Sequence, residues 1–384
     1  MFIPFYFPRP GQLRVVIVGG GYSGLAALAG IREFRPDAEI VLIDPRSHHL
    51  KITHLHETFR RPLTDFQVAF SALEQRFGLR HIQASLQFDD ELLTQWQANR
   101  YLTVNDEDIE FDYLLIATGA GSRTLEKNEQ TLDLADFTRR SGAELLREHL
   151  GETGGHTRHV SVVGAGATGI QFLFEMALYL RTLPFTTHLR LINSDKAVLK
   201  QFNPDLARYV EARMSDLGIE HIDSHLYQKQ AGGFVHIEQA ETGDVRELPS
   251  DLTVLFLGKS PIPALYANQF GQVTVNGLSL DRVFAAGDGS HYRAPGSNAL
   301  TAQSAVRKGK LVARNILRHC SAFPMLEPYL HRDLGYVINL GSTDAVGWLA
   351  MERNIVGGLP AAVIKELVEA QYDLLLAGID TYLI

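Results

Sequence analysis

Two clusters of glycine share one spacing: Gly19-Gly20-Gly21-Tyr22-Ser23-Gly24 and Gly164-Ala165-Gly166-Ala167-Thr168-Gly169. Glycine carries no reactive group, but this spacing can cradle a pyrophosphate. Gly19 and Gly164 permit a tight turn. Gly21 and Gly166 let the backbone approach a phosphate, and Gly24 and Gly169 let the following helix pack close to its strand. Each cluster follows a short apolar run (15–18 and 160–163) and leads into a helix-like stretch, the context a dinucleotide fingerprint requires. Two such loops in one chain predict two dinucleotides, most simply a flavin and a nicotinamide.

The elements that must present these loops follow from the hydrophobic pattern. Residues 14–18, 22–34 and 39–43 read as strand, helix and strand, a βαβ unit closed by Asp44. A carboxylate roughly 20 residues past the glycines is placed to accept hydrogen bonds from an adenosine ribose. A second βαβ unit spans 159–193, followed by a helix over 204–217. The runs ending Ala117-Thr118-Gly119 and Ala286-Gly287-Asp288 are buried strands entering glycine turns. Further strands are expected at 234–239 and 252–257, with a turn at Gly258-Lys259-Ser260-Pro261, and a helix at 299–317. A small antiparallel meander is expected over 85–113. The polar stretch 122–142 marks a crossover between domains. The last part, 321–384, reads as two strands (335–340 and 345–350) and a final helix. The predicted fold is therefore α/β, with two Rossmann-like dinucleotide-binding domains and a small C-terminal α+β region. The expected division is 1–122 with 256–320, then 123–255, then 321–384.

Composition limits the partners. A formal charge of −8 over 384 residues offers no basic excess for nucleic acid. The single cysteine, Cys320, excludes an internal disulfide, a CxxC redox pair and a multi-thiolate metal site, and fits a reducing compartment. Residues 1–12 are aromatic and proline-rich, without the pattern of a signal peptide. Four histidines (His48, His49, His54 and His56) fall between 45 and 60, but irregular spacing and the lack of nearby thiols speak against a metal centre.

In order along nearly the whole chain, these motifs resemble those of the type II NADH dehydrogenases, NAD(P)H:quinone oxidoreductases within the FAD-dependent pyridine nucleotide-disulfide oxidoreductase superfamily. The element Thr53-x-Leu55-His56-Glu57 is closer to these dehydrogenases than to the disulfide reductases, which place a redox cysteine pair near there. The resemblance implies FAD at the first loop, held by Gly19, Gly21, Tyr22, Ser23, Gly24, Asp44, Pro45, Arg46, Leu86, Thr118, Gly119, Gly287, Asp288 and Ala302. It puts Thr53 against the isoalloxazine ring, and Asp288 on the ribityl chain at a helix start, where it would also cap that helix. NADH or NADPH is implied at Gly164, Gly166, Thr168, Gly169 and Asn193. Gln303 is the implied hydrogen-bond partner of a quinone carbonyl.

The chain departs from that pattern on the substrate side. Gln171 stands where the family carries a glutamate, and an amide cannot relay a proton near neutral pH. The proton would then come from water, from Glu175 one turn later or from a nearby histidine. Asn193 replaces the acidic residue that ends the corresponding strand, which leaves the choice between NADH and NADPH open beside Lys196. Arg307 replaces the second glutamine of Ala302-Gln303-x-Ala305-x-Arg307, and Asp344 replaces a lysine common near the flavin. A reductase of a soluble electron carrier, or a nucleotide-binding sensor with little turnover, stays as an alternative.

The expected final helix shows an apolar stripe of Val363, Ile364, Leu367, Val368, Leu374, Leu375 and Ile379. Its polar face carries Glu366, Glu369, Asp373 and Asp380, with Lys365 as its basic residue. Interfacial helices are usually basic. This one is expected to pack on its own body or on a second copy in a homodimer, with the membrane surface as the alternative. The expected location is cytoplasmic, with peripheral attachment to the cytoplasmic membrane face left open.

Overall fold

The computed structural model describes Tyr6 and residues 11–123, 125–151, 156–260 and 265–382. Most of the reading of residues 1–12, and Pro261 of the predicted turn, lie outside them. The first βαβ unit consists of β1 (Arg14–Val18), α1 (Tyr22–Phe34) and β2 (Glu39–Asp44). With β3 (Arg80–Gln83) and β4 (Tyr113–Ile116), these strands build a parallel sheet; β1, β2 and β4 are covered on both sides and run as apolar stretches, while the edge strand β3 is polar.

A second parallel sheet contains β5 (Thr131–Asp133), β6 (Arg158–Val163), β7 (Thr187–Ile192), β8 (Glu220–Ile222) and β9 (Leu252–Leu255), ordered β5-β9-β6-β7-β8. Helix α2 (Ala167–Leu180) leaves β6 at the second glycine cluster. The chain then returns to the first sheet through β10 (Leu265–Ala267), β11 (Gln272–Val275), β12 (Leu278–Ala285) and β13 (Ser290–Tyr292). β12 pairs parallel with β4, giving the order β13-β10-β11-β12-β4-β1-β2-β3. Helix α3 (Ala302–His319) packs along α1, where Gly309 lies so close to Ser23 that a Cβ would sit 2.1 Å from its carbonyl oxygen.

The C-terminal region is a three-stranded antiparallel sheet, β14 (Gly335–Asn339), β15 (Ala345–Leu349) and β16 (Met351–Gly357), followed by α4 (Leu359–Leu376). One strand more is present than the pattern predicts, because β16 is a charged, largely exposed hairpin partner of β15.

Two expectations are corrected. The segment 85–113 is not a meander: Asp89 caps a helix at Asp90–Asn99 through the Leu92 N–H, and a two-stranded hairpin follows over 101–110. Leu92, Leu93 and Trp96 fall on one face at helical spacing and pack on the first sheet. Asp288 does not start a helix. It occupies the turn between β12 and β13, and α3 begins later with Thr301 as its cap, accepting from the Ser304 N–H.

Candidate active site

Both glycine loops sit at the carboxyl ends of their first strands, and the two are built alike. Gly19 and Gly164 have φ of +110° and +102°. A Cβ on them would lie 2.3 Å from the Ala117 oxygen and 2.2 Å from the Phe256 oxygen, so no other residue fits. A Cβ on Gly24 or Gly169 would lie 2.0 or 1.9 Å from the carbonyl oxygen of Gly19 or Gly164. Gly21 and Gly166 differ: a Cβ there would meet nothing within 4 Å. Each loop is closed against the protein and open on the side where a pyrophosphate would lie.

Buried Asp44 fixes the first loop. Its Oδ2 accepts the Gly20 N–H at 2.8 Å, and its Oδ1 accepts the Arg46 N–H at 2.9 Å. Gln83 donates to the Pro45 carbonyl, while Leu86 packs beside the core of the first sheet. Ser23 is buried beside Gly287. Thr118 is exposed at the mouth of the strand-end turn, and Gly289 packs against the neighbouring Gly119. At the second loop, the Asn193 amide donates to the carbonyls of Asp195 and Ala197, so it closes its own turn.

Between the loops lies a cavity of about 450 Å³. Its walls bring together Tyr22 from the first loop, Thr53, Thr168 and Gln171 from the start of α2, and Ala302 and Gln303 from the start of α3. Tyr22 and Thr53 join their hydroxyls at 2.8 Å. The Gln171 Oε1 accepts the Asn339 N–H at 3.4 Å, which ties α2 to β14. Arg307 also reaches the lining, with Tyr382 beneath its guanidinium at 5.6 Å. Glu175 does not reach the cavity. It is buried against Arg60 at 3.2 Å, and burial pushes its carboxyl above the usual range. Asp344 also lies elsewhere, bound to Tyr209 at 2.8 Å and Arg213 at 2.9 Å.

α4 forms a further wall, and the expected apolar stripe divides: Ile364 and Val368 line the cavity and Leu375 enters the core. Lys365, Glu369 and Tyr372 face the cavity, while Val363, Leu367 and Leu374 face outward. Polar anchors draw the helix in. Lys51 pairs with Asp373, and Lys310 with Asp380 in the segment after α4, while Lys365 and Glu369 pair within the helix. Tyr372 lies 4.5 Å from the Tyr22 ring, and its hydroxyl meets His49 Nε2 at 3.2 Å. His49 Nδ1 bonds the Gly20 carbonyl at 2.9 Å. A carbonyl only accepts, so Nδ1 carries the hydrogen and Nε2 accepts from Tyr372. Burial pushes the His49 imidazole down to about 4, so it stays neutral and couples the first loop to α4.

A second polar cluster lies on the same wall. His54 stands between Glu57 and Glu369, and the three groups gather within 4.8 Å. Each carboxylate already has a cation, Arg60 on Glu57 at 2.8 Å and Lys365 on Glu369. His56 is buried, accepts from the Asn339 amide at 3.3 Å and is held well below its usual pKa by burial. Sequence reasoning noticed these histidines but not their partners, which arrive from β14 and α4.

Comparison with known proteins places this architecture. The profile of the family described as pyridine nucleotide-disulphide oxidoreductase matches residues 13–309. Ferroptosis suppressor protein 1 of Taeniopygia guttata is 22% identical over 366 residues, with 88% of each chain covered. Among solved structures, the sulfide:quinone oxidoreductase of Aquifex aeolicus gives a TM-score of 0.77 at 17% identity, covering 96% of this chain and 92% of that one. NDH2 of Plasmodium falciparum in complex with NADH gives 0.75 at 13% identity, with 94% of each covered. Among the described residues, no helix is long and apolar enough to cross a membrane.

Proposed function

The chain belongs to the pyridine nucleotide-disulphide oxidoreductase family, and from that premise we propose that it is an FAD-dependent NAD(P)H dehydrogenase with a quinone as electron acceptor. The observation that carries this reading is the cavity, since one space is lined by both glycine-loop regions and by Gln303. Residues 1–122 and 256–320 form the FAD domain in this reading, 123–255 the NAD(P)H domain, and 321–384 the region that completes the site. The open sides of Gly21 and Gly166 fit two pyrophosphates. Asp44, Thr118, Gly119, Gly287 and Asp288 would hold FAD; Thr168 and Asn193 would hold the nicotinamide nucleotide. When bound, the flavin supplies the hydride and electron chemistry that links nicotinamide to acceptor.

The chain's own residues position and enclose. Ile52, Leu300, Val306, Leu334, Ile364 and Val368 give the cavity an apolar lining suited to a flat, uncharged ring and exclude water from it. Gln303 donates to an acceptor carbonyl, and Thr53 with Tyr22 sets one wall. Gln171 hydrogen-bonds but moves no proton. Sulfide chemistry through protein thiols is disfavoured, because Cys320 lies at the far end of α3 and bonds the Leu317 carbonyl. The outward apolar face of α4 is where a second copy or a membrane surface would sit.

Stopped-flow mixing tests the reading. NADH or NADPH should bleach the flavin band at roughly 450 nm, and a soluble benzoquinone should restore it. No bleaching by either nucleotide rejects the proposal.

A further inference from the structure

Reducing a quinone to a quinol takes two electrons and two protons, and Gln171 supplies neither proton. We propose that His54 is the proton donor to the acceptor in this cavity and that Glu369 of α4 returns the proton to it. The inference rests on the quinone-reductase reading above.

The geometry is specific. His54 lines the cavity, with Nδ1 2.9 Å from Glu57 Oε1 and Nε2 3.5 Å from Glu369 Oε2. The Phe66 ring stacks on the imidazole at 5.3 Å and fixes its plane. Burial alone would raise the Glu57 carboxyl. The His54 hydrogen bond and the Arg60 guanidinium outweigh it and hold the group below its usual range. An ionised Glu57 only accepts, so it anchors Nδ1–H and leaves Nε2 as the exchanging atom. Glu369 is complementary: Oε1 accepts from Lys365, while Oε2 is buried, faces His54 and has no hydrogen bond among the described residues.

Charged groups surround His54 from three elements. On its own side stand Glu57, Arg60 and Lys51, the last paired with Asp373. α2 contributes Glu175, bound to Arg60, and α4 contributes Lys365 and Glu369. His56, the other cavity-lining histidine, is unsuited because its Nε2 already accepts from Asn339 and burial keeps it neutral.

The step balances. A hydride equivalent from the loaded enzyme brings two electrons and one proton to the acceptor. The second proton leaves His54 Nε2 as the acceptor oxygen forms its O–H bond, leaving neutral imidazole. Solvent then recharges His54 through Glu369.

The test uses the full-length, FAD-loaded chain and its variants His54→Gln and Glu369→Gln, with two acceptors. A short-tailed benzoquinone needs protons; ferricyanide takes electrons alone. Loss of a general acid is expected to slow quinone reduction roughly 100-fold or more in H54Q, with a far smaller effect on ferricyanide. Because the donor must be protonated, quinone turnover should fall as pH rises, while ferricyanide reduction should not follow it. E369Q, which removes a neighbouring carboxylate, should move that fall to lower pH. Carbon-13 NMR of the His54 imidazole, assigned by its absence in H54Q and recorded without nicotinamide or quinone, should show the same displacement. Equal losses with both acceptors, or a midpoint that E369Q does not move, would overturn the relay. If nicotinamide fails to bleach the wild-type flavin, the functional reading falls and the relay falls with it.

Discussion

Replacing Asp44 by asparagine probes the first nucleotide loop with almost no change of shape. The two carboxylate oxygens divide their work, Oδ2 accepting the Gly20 N–H and Oδ1 the Arg46 N–H. Asparagine offers one oxygen and one NH₂ group, so in either orientation one backbone N–H faces another donor. The residue is 3% exposed, and water cannot repair the mismatch. An orphaned buried donor costs about 1–3 kcal/mol, and the remaining bond loses its charge assistance, about 1 kcal/mol more. If the loop bears that cost when it closes on the dinucleotide, FAD binds roughly 30- to 1,000-fold more weakly, at 1.4 kcal/mol per tenfold. Titrating deflavinated protein with FAD and following its fluorescence measures this directly. An Asp44→Asn chain that binds FAD within threefold of wild type, at an unchanged thermal midpoint, would refute the reasoning. A lowered midpoint with unchanged affinity would make Asp44 a structural residue only.

Acid should loosen the fold through His49. Its imidazole is pushed by burial from 6.5 to about 4, so the unfolded chain takes up a proton in that window that the folded chain refuses. This contribution is intact above pH 6.5 and falls as pH drops toward 4, by roughly 3 kcal/mol. Thermal midpoints across the window should fall in wild type and fall less in His49→Gln. Asn193→Asp should lower kcat/KM for NADPH relative to NADH by about tenfold, from repulsion of the 2′-phosphate; an unchanged ratio would remove Asn193 from the specificity site. Leu367→Glu, on the outward face of α4 at 66% exposure, should change stability by less than about 0.5 kcal/mol and leave quinone turnover intact. A larger loss of either would show that the helix packs otherwise.

Local signals made the two nucleotide units legible. Gly19 and Gly164 are dictated by a turn, β1 and β6 by runs of buried valine, and α1 and α2 by the helical stretch after the third glycine. Segment 85–113 reads as strands because its exposed helix, with one apolar stripe, also alternates in places; the Asp89 cap is the local signal of the helix at 90–99. The helix start at Asp288 is implied by the resemblance alone; here the short strand β13 and a loop separate Asp288 from α3. The polar cluster at the cavity was beyond reach for another reason. His49 and His54 take their roles from Tyr372 and Glu369, more than 300 residues later, and nothing local records that meeting. The inward turn of Lys365 and Glu369 was also hidden, since a helix with leucines on one side reads as buried on that side until its partners are known.

The inward Lys365, Glu369 and Tyr372 of α4 change what its removal would mean. A chain cut at Gly358 loses an apolar exterior, but it also loses Tyr372 from Tyr22 and Glu369 from His54. Such a chain would be impaired even if it never touched a membrane or a second copy. Attachment and turnover are therefore separable only by changing the outward leucines one at a time. The terminal helix is a wall of the reaction vessel whose outer surface happens to be greasy.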